Sequence, residues 1–219
     1  MKKGILFDVD GTLWDSAPQV TEAWNEILAS CPDAGKTITA DDMYRYMGHP
    51  MDVIGQMMLP DMEEARRMEI MERCMEYENR YLLKCPGALY PGVVRALTEL
   101  AAEYELYIVS NCQDGYIQVL LTACGLKGLI RDFECFGRTG KQKGDNIRLV
   151  VERNGLDAAI YVGDTAMDEA ATEAAGLPFV HAAYGFGKAA HPAAVIQSMG
   201  ELASAARAVF SGKDWECKA

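Results

Sequence analysis

The sequence predicts an α/β protein: a doubly wound parallel sheet with an all-helical segment inserted after its first strand. Three observations lead there. Short apolar runs at 4–7, 106–109, 133–136, 159–162 and 179–180 are bounded by Gly, Asp, Asn or Ser. Helical patterns separate most of them, and strands alternating with helices build a parallel sheet covered on both faces. Residues 17–85, between the first run and the next, carry no strand pattern, although a parallel crossover needs only about a dozen residues.

In chain order, Gly4-Ile5-Leu6-Phe7 forms the first strand and stops at Asp8. It is far shorter than the roughly 7–15 apolar residues of a signal-peptide core, so no signal peptide is expected. Helical patterns follow at 19–29, 40–47, 52–59 and 61–83. Nine of the twelve methionines fall between Met43 and Met75. Met68, Met71, Met75 and Leu82 share one side of the last of these helices; methionine there fills a small core or lines an adaptable pocket. Pro86-Gly87 and Tyr90-Pro91-Gly92 punctuate the return to the sheet. Helices at 93–104, 115–124, 146–154 and 167–175 alternate with the remaining strands, and one at 200–210 closes the pattern. The expected organisation is a core of residues 1–16 and 86–211, a helical cap of 17–85 hinged near 15–18 and 85–87, and a polar tail at 212–219.

Composition limits the function. Lys and Arg number 21 against 32 Asp and Glu, a net charge of −11. So acidic a chain is not expected to bind nucleic acid or an anionic membrane. No stretch approaches the roughly 20 apolar residues of a membrane span. Seven cysteines without C-x-x-C spacing argue against a disulfide framework and a structural zinc site, and point to reduced thiols in the cytoplasm. Cys112 stands out only for its neighbours.

Chemistry gathers at the strand ends. Asp8-Val9-Asp10-Gly11-Thr12-Leu13 leaves the first strand at its carboxyl end, where open α/β sheets bind ligands. Two acids at i and i+2 also make an ordinary turn with a helix cap. Three further features favour a site. Ser110-Asn111 ends a second strand, just before a helix whose amides face that edge. Gly163-Asp164 ends a third, with Asp168 four residues on. Lys143 precedes a helix, where a cation opposes the dipole and instead suits clustered carboxylates and an anion. Oxygen donors of this kind select Mg²⁺. The three histidines are isolated, which disfavours zinc and a Ser-His-Asp hydrolase, and no G-x-S-x-G elbow is present.

The ordered set Asp8–Thr12, Ser110-Asn111, Lys143 and Gly163-Asp164-x-x-x-Asp168 resembles the four motifs of the haloacid dehalogenase superfamily. It is similar in particular to the phosphoglycolate phosphatase-like branch, with its helical cap after the first strand of a Rossmann-like core. The resemblance implies a cytoplasmic Mg²⁺-dependent phosphatase for a small phosphorylated metabolite. Asp8 would be the nucleophile forming an aspartyl-phosphate, since a carboxylate with an ordinary pKa near ~3.9 is ionised at pH 7. Asp10 would be the general acid and base, which requires its pKa to rise by about three units. Mg²⁺ would sit on Asp8, Asp10 through its carbonyl, and Asp164, with Asp168 in support. Thr12, Ser110, Asn111 and Lys143 would hold the phosphate; Lys141 competes with Lys143 for this role. Asp10 argues against a dehalogenase, and Val20, where sugar-phosphate mutases of the family carry histidine, against a mutase. Lys36 is the main candidate for the Schiff-base lysine of a phosphonate hydrolase, although Gly35-Lys36-Thr37 reads better as a loop. A sugar-phosphate mutase, a nucleotidase, a pyrophosphatase and a catalytically silent binding protein on the same fold are the alternatives.

Overall fold

A computed structural model describes residues 1–212; the expected tail, Gly212 apart, lies outside the described residues. The chain opens with β1 (Lys3–Phe7), then β2 (Trp14–Asp15). Four helices follow: α1 (Ala17–Ala29), α2 (Ala40–Tyr46), α3 (Met51–Met58) and α4 (Glu64–Leu82). β3 (Ala88–Leu89) and α5 (Val93–Leu100) lead to β4 (Glu105–Ser110), α6 (Tyr116–Ala123) and β5 (Ile130–Cys135). Next come α7 (Phe136–Thr139), α8 (Lys143–Arg153), β6 (Ala158–Gly163) and α9 (Ala166–Ala174). β7 (Phe179–Ala182), β8 (Ala194–Ile196) and α10 (Leu202–Ser211) complete the described chain.

Six strands form one parallel sheet in the order β5-β4-β1-β6-β7-β8. Both faces are buried, as alternation along each strand requires. Ile5, Phe7, Ile108, Ile160 and Val162 belong to one core; Leu6, Tyr107, Val109 and Tyr161 belong to the other. The winding reverses at β1, which pairs with β4 on one side and β6 on the other. A ligand crevice at the carboxyl ends of the strands is expected at this switch point.

Four elements lie outside the sequence reading. β8 is a three-residue edge strand, and β2 and β3 are two-residue segments paired antiparallel where the chain leaves and rejoins the sheet. Such lengths carry no readable alternation. Phe136, expected to end a strand, instead starts the short helix α7. Helix α8 begins at Lys143 rather than near residue 146, because the lysine is its first residue and not a loop residue before it. The buried face of α4 also differs: it is Ile70, Met71, Cys74, Glu78 and Leu82, while Met68 and Met75 are only half-buried. Periodicity alone could not place Glu78 there, since an acid reads as a solvent-facing residue.

Candidate active site

Asp8 follows β1, Ser110 ends β4 and Gly163-Asp164 ends β6, so three adjacent strands deliver their polar residues to one edge. Asp8, Asp164 and Asp168 each bring a carboxylate oxygen within 4.8 Å of the others, and all three are buried. Lys143 stands among them. Its Nζ donates to Asp8 Oδ1 at 2.9 Å and to Asp168 Oδ1 at 2.7 Å, with the side chain 4% exposed. Burial works against its charge, yet Asp168 and Asp8 hold it well above the usual lysine range. Lys141 is exposed.

Asp168 is fixed from its own helix. Its Oδ2 accepts from the Thr165 amide at 3.0 Å and the Thr165 hydroxyl at 2.6 Å, while the Asp168 amide donates back to Thr165 Oγ1. This is a capping box at the start of α9. One oxygen of Asp168 therefore orders the helix end and the other holds the lysine. Gly163 makes the approach possible: a Cβ there would lie 2.6 Å from that of Asp168.

Asp164 accepts from the Phe186 amide at 2.7 Å and from Thr12 Oγ1 at 3.4 Å. Gly11, in the left-handed region at φ 79°, leaves the room that Asp164 occupies; a Cβ would sit 2.2 Å from its Oδ2. Burial, with Asp168 and Asp8 nearby, pushes the Asp164 carboxyl up to about 8. Burial likewise raises Asp8 to about 6, with Lys143 pulling the other way.

Asp10 points to a different neighbourhood. Tyr116 OH, Ser16 Oγ and Trp14 Nε1 donate to its Oδ1 at 2.7, 2.9 and 3.0 Å. No hydrogen bond among the described residues uses its Oδ2. Burial pushes Asp10 up to about 7 against the pull of these donors. Asp8, Asp10, Ser110 and Asn111 face one cavity, roofed by residues of α1–α4 that include Trp24, Met43 and Ile54. Val20 lines it too, while Lys36 lines a separate hollow beside Met58 and Arg66.

Two side chains expected at a phosphate are engaged elsewhere. The Thr12 hydroxyl is turned to Asp164, and Asn111 gives its Nδ2 to the Gly48 carbonyl at 2.8 Å, tying the sheet edge to the α2–α3 loop. Ser110 is buried and lines the cavity. Sequence reasoning missed Glu78, whose carboxylate accepts from Trp24 Nε1 at 2.6 Å and Gln113 Nε2 at 3.0 Å. Its signal was an acid four residues from Cys74 and from Leu82, on the apolar stripe of α4. Burial pushes Glu78 up to about 8.

Residues 5–182 match the haloacid dehalogenase-like hydrolase family. A phosphoglycolate phosphatase of Cereibacter sphaeroides is 31% identical over 186 residues, covering 80% of this chain and 83% of that protein. A plasmid-borne phosphoglycolate phosphatase of Cupriavidus necator is 29% identical over 199 residues, covering 87% and 85%. The fold matches a haloacid dehalogenase-like hydrolase from Streptococcus pneumoniae with a TM-score of 0.80 at 21% identity, covering 93% of this chain and 97% of that one. It also matches CbbY of Rhodobacter sphaeroides, solved with xylulose-(1,5)-bisphosphate, with a TM-score of 0.79 at 19% identity over 92% and 96% of the two chains. No helix among the described residues is long and apolar enough to cross a membrane. The chain belongs to the haloacid dehalogenase-like hydrolases, among their phosphatases.

Proposed function

We propose that the protein is a Mg²⁺-dependent phosphatase that hydrolyses a small phosphate monoester through an aspartyl-phosphate on Asp8. The observation that carries this reading is the pairing of two unlike carboxyls on one cavity. Asp8 is clamped by Lys143, and Asp10, two residues on, is held near the pKa that proton transfer at neutral pH needs.

Asp8 is ionised over most of its population above about pH 6 and attacks phosphorus without a separate base. Lys143 orients the carboxylate and offers positive charge to the phosphoryl oxygens, with Ser110 and the backbone after it completing the cradle. Asp10, its Oδ1 occupied by three donors and its Oδ2 free, protonates the leaving oxygen and then takes a proton from the attacking water. Asp168 acts through Lys143 as a positioning residue.

The donors fit a hard divalent cation. They are all oxygen, they are buried, and one lysine stands against Asp8, Asp164 and Asp168. Asp8, the Asp10 carbonyl and Asp164 would hold Mg²⁺, with Asp168 beside them. When bound, the metal supplies positive charge to the oxygens of the transferring phosphoryl group.

The cavity encloses about 30 Å³, room for roughly two waters. A phosphate ester needs more room than this, which it would gain if residues 17–85 swing away as a cap from the core of 1–16 and 86–211. A lid of this kind excludes water from the reacting phosphoryl group and favours small metabolites over macromolecules. Six free cysteines among the described residues support a reducing, cytoplasmic location.

The test is hydrolysis of p-nitrophenyl phosphate with and without Mg²⁺. Activity should vanish with a chelator, return with Mg²⁺, and be absent in a folded Asp8→Asn variant. Full activity in Asp8→Asn would overturn the assignment of the nucleophile, and an inert wild type would overturn the enzyme reading.

A further inference from the structure

Beyond the phosphoryl end, the cavity offers little to a second anion, although phosphoglycolate, after which several relatives are named, carries one. Neither lysine nor arginine among the described residues lines it. Its roof is apolar, built on Val20, Trp24, Met43 and Ile54. Into this surface α4 places Glu78, 2% exposed, and the chain after β4 places Gln113, 5% exposed.

The hydrogen bonding of this pair is incomplete in one direction. Gln113 Nε2 donates to Glu78 Oε1 at 3.0 Å and to Asn79 Oδ1 at 3.4 Å, which fixes the orientation of its amide. Its Oε1 is then a buried acceptor without a donor among the described residues. Buried acceptors of this kind are costly unless something donates to them. Glu78 adds lone pairs beside it and, in either protonation state, brings no positive charge. A carboxylate or second phosphate entering here would be desolvated with no lysine or arginine to pair with, the costly case for a buried charge. A hydroxyl or ammonium would instead find acceptors waiting.

We propose that the cavity selects phosphate monoesters whose leaving group carries a hydrogen-bond donor and no second anion, with Glu78 and Gln113 as the specificity-determining pair. The proposal rests on the phosphatase reading and names the substrate class of that same site. It separates this chain from the substrate that its relatives' names print. A site built to hydrogen-bond a donor rejects analogues lacking it by large factors, because its own polar groups are left unpaired.

The experiment compares kcat/KM, with Mg²⁺ present, for four esters: 2-hydroxyethyl phosphate, phosphoethanolamine, ethyl phosphate and 2-phosphoglycolate. Glu78→Gln is measured on the same series; its new amide meets Gln113, whose own amide can turn to present Oε1. The better donor ester should exceed 2-phosphoglycolate by about 100-fold or more in the wild type. In Glu78→Gln that ratio should shrink by about tenfold or more. Where that variant does not fold, Gln113→Leu carries the same comparison. Equal or better use of 2-phosphoglycolate by the wild type would overturn the proposal, as would a ratio unmoved by both substitutions. A preference for 2-phosphoglycolate that His49→Gln abolishes would overturn it by placing a second anion on the one imidazole of the lining. If p-nitrophenyl phosphate and all four esters go unhydrolysed, the phosphatase reading itself fails and the proposal falls with it. Turnover of p-nitrophenyl phosphate beside a wrong rank order defeats the substrate class alone.

Discussion

Glu78→Gln should make the protein more stable at neutral pH, although it removes a carboxylate with two good donors. Burial lifts Glu78 from an ordinary 4.5 to about 8. A carboxyl raised in the folded state contributes stability fully below the unfolded pKa, and that contribution is lost as pH rises towards the folded one. Between pH 4.5 and 7 the loss is about 3 kcal/mol at roughly 1.4 kcal/mol per pH unit. Glutamine carries no such penalty; the folded acid is largely protonated at pH 7, so glutamine gives up only the fit of the bonds with Trp24 and Gln113, about 1 kcal/mol. The net gain is about 2 kcal/mol at pH 7, or roughly 4–8 °C in Tm for a chain of this size. At pH 5 the folded carboxyl is protonated while the unfolded one is already mostly ionised, so the loss is only about 1 kcal/mol; it cancels what glutamine gives up, and the two proteins should be close to equal. Urea denaturation of both at pH 5, 6, 7 and 8 measures the difference directly. A stability gap that stays constant across these pH values would refute the reasoning, because the buried acid would then not be titrating against its own burial.

Lys143→Met should lower kcat/KM by about a thousandfold and destabilise the fold by about 3–5 kcal/mol, since Asp8 and Asp168 lose their shared cation; steady-state kinetics and denaturation check both. Thr165→Ala removes the cap of α9 and should cost about 1 kcal/mol, with a larger fall in kcat than in KM because Asp168 no longer holds Lys143 in place. Mg²⁺ binding should release protons near neutral pH, since the Asp164 carboxyl that would hold the metal is held up to about 8, and metal affinity should rise from pH 6 to 8. Calorimetric titration in buffers of different ionisation enthalpy reads that proton release; a buffer-independent heat would exclude it.

What the sequence made legible follows from the range of the interactions. Asp8, Ser110 and Asp164 were readable because each ends a run apolar enough to be a buried strand, and the sheet brings such ends together. Lys143 was readable because its charge is locally misplaced at a helix start, a conflict that only distant acids resolve. Thr12 and Asn111 were placed at a phosphate by resemblance, but their hydrogen bonds depend on Asp164 and Gly48, far away in the chain. Glu78 was missed for the same reason. Its partners Trp24 and Gln113 lie 54 and 35 residues away; Cys74 and Leu82, four residues to either side, put it on the apolar stripe but do not show what would satisfy a buried acid there. Local pattern finds the strands and their ends; it cannot find a polar group whose justification is assembled by folding.

The acidic balance of the chain acquires a structural meaning at this point. A net charge of −11 spread over a surface would cost little and say little. Here Asp8, Asp10, Asp164 and Glu78 are all buried or nearly so, and burial pushes each of them up, with Lys143 pulling back only on Asp8 and Asp164. The four do not share one remedy. Asp8 and Asp164 lie together with Asp168, close enough for a divalent cation to answer several of them at once. Glu78 stands outside that group, beyond Asp10 and beneath an apolar roof, beside an unpaired acceptor on Gln113. A metal at the first group relieves the first deficit and leaves the second. The first group meets the cavity at Asp8 and the second lines its far side, so on the proposed reading a substrate would lie with its anion towards the sheet and its donor towards α4.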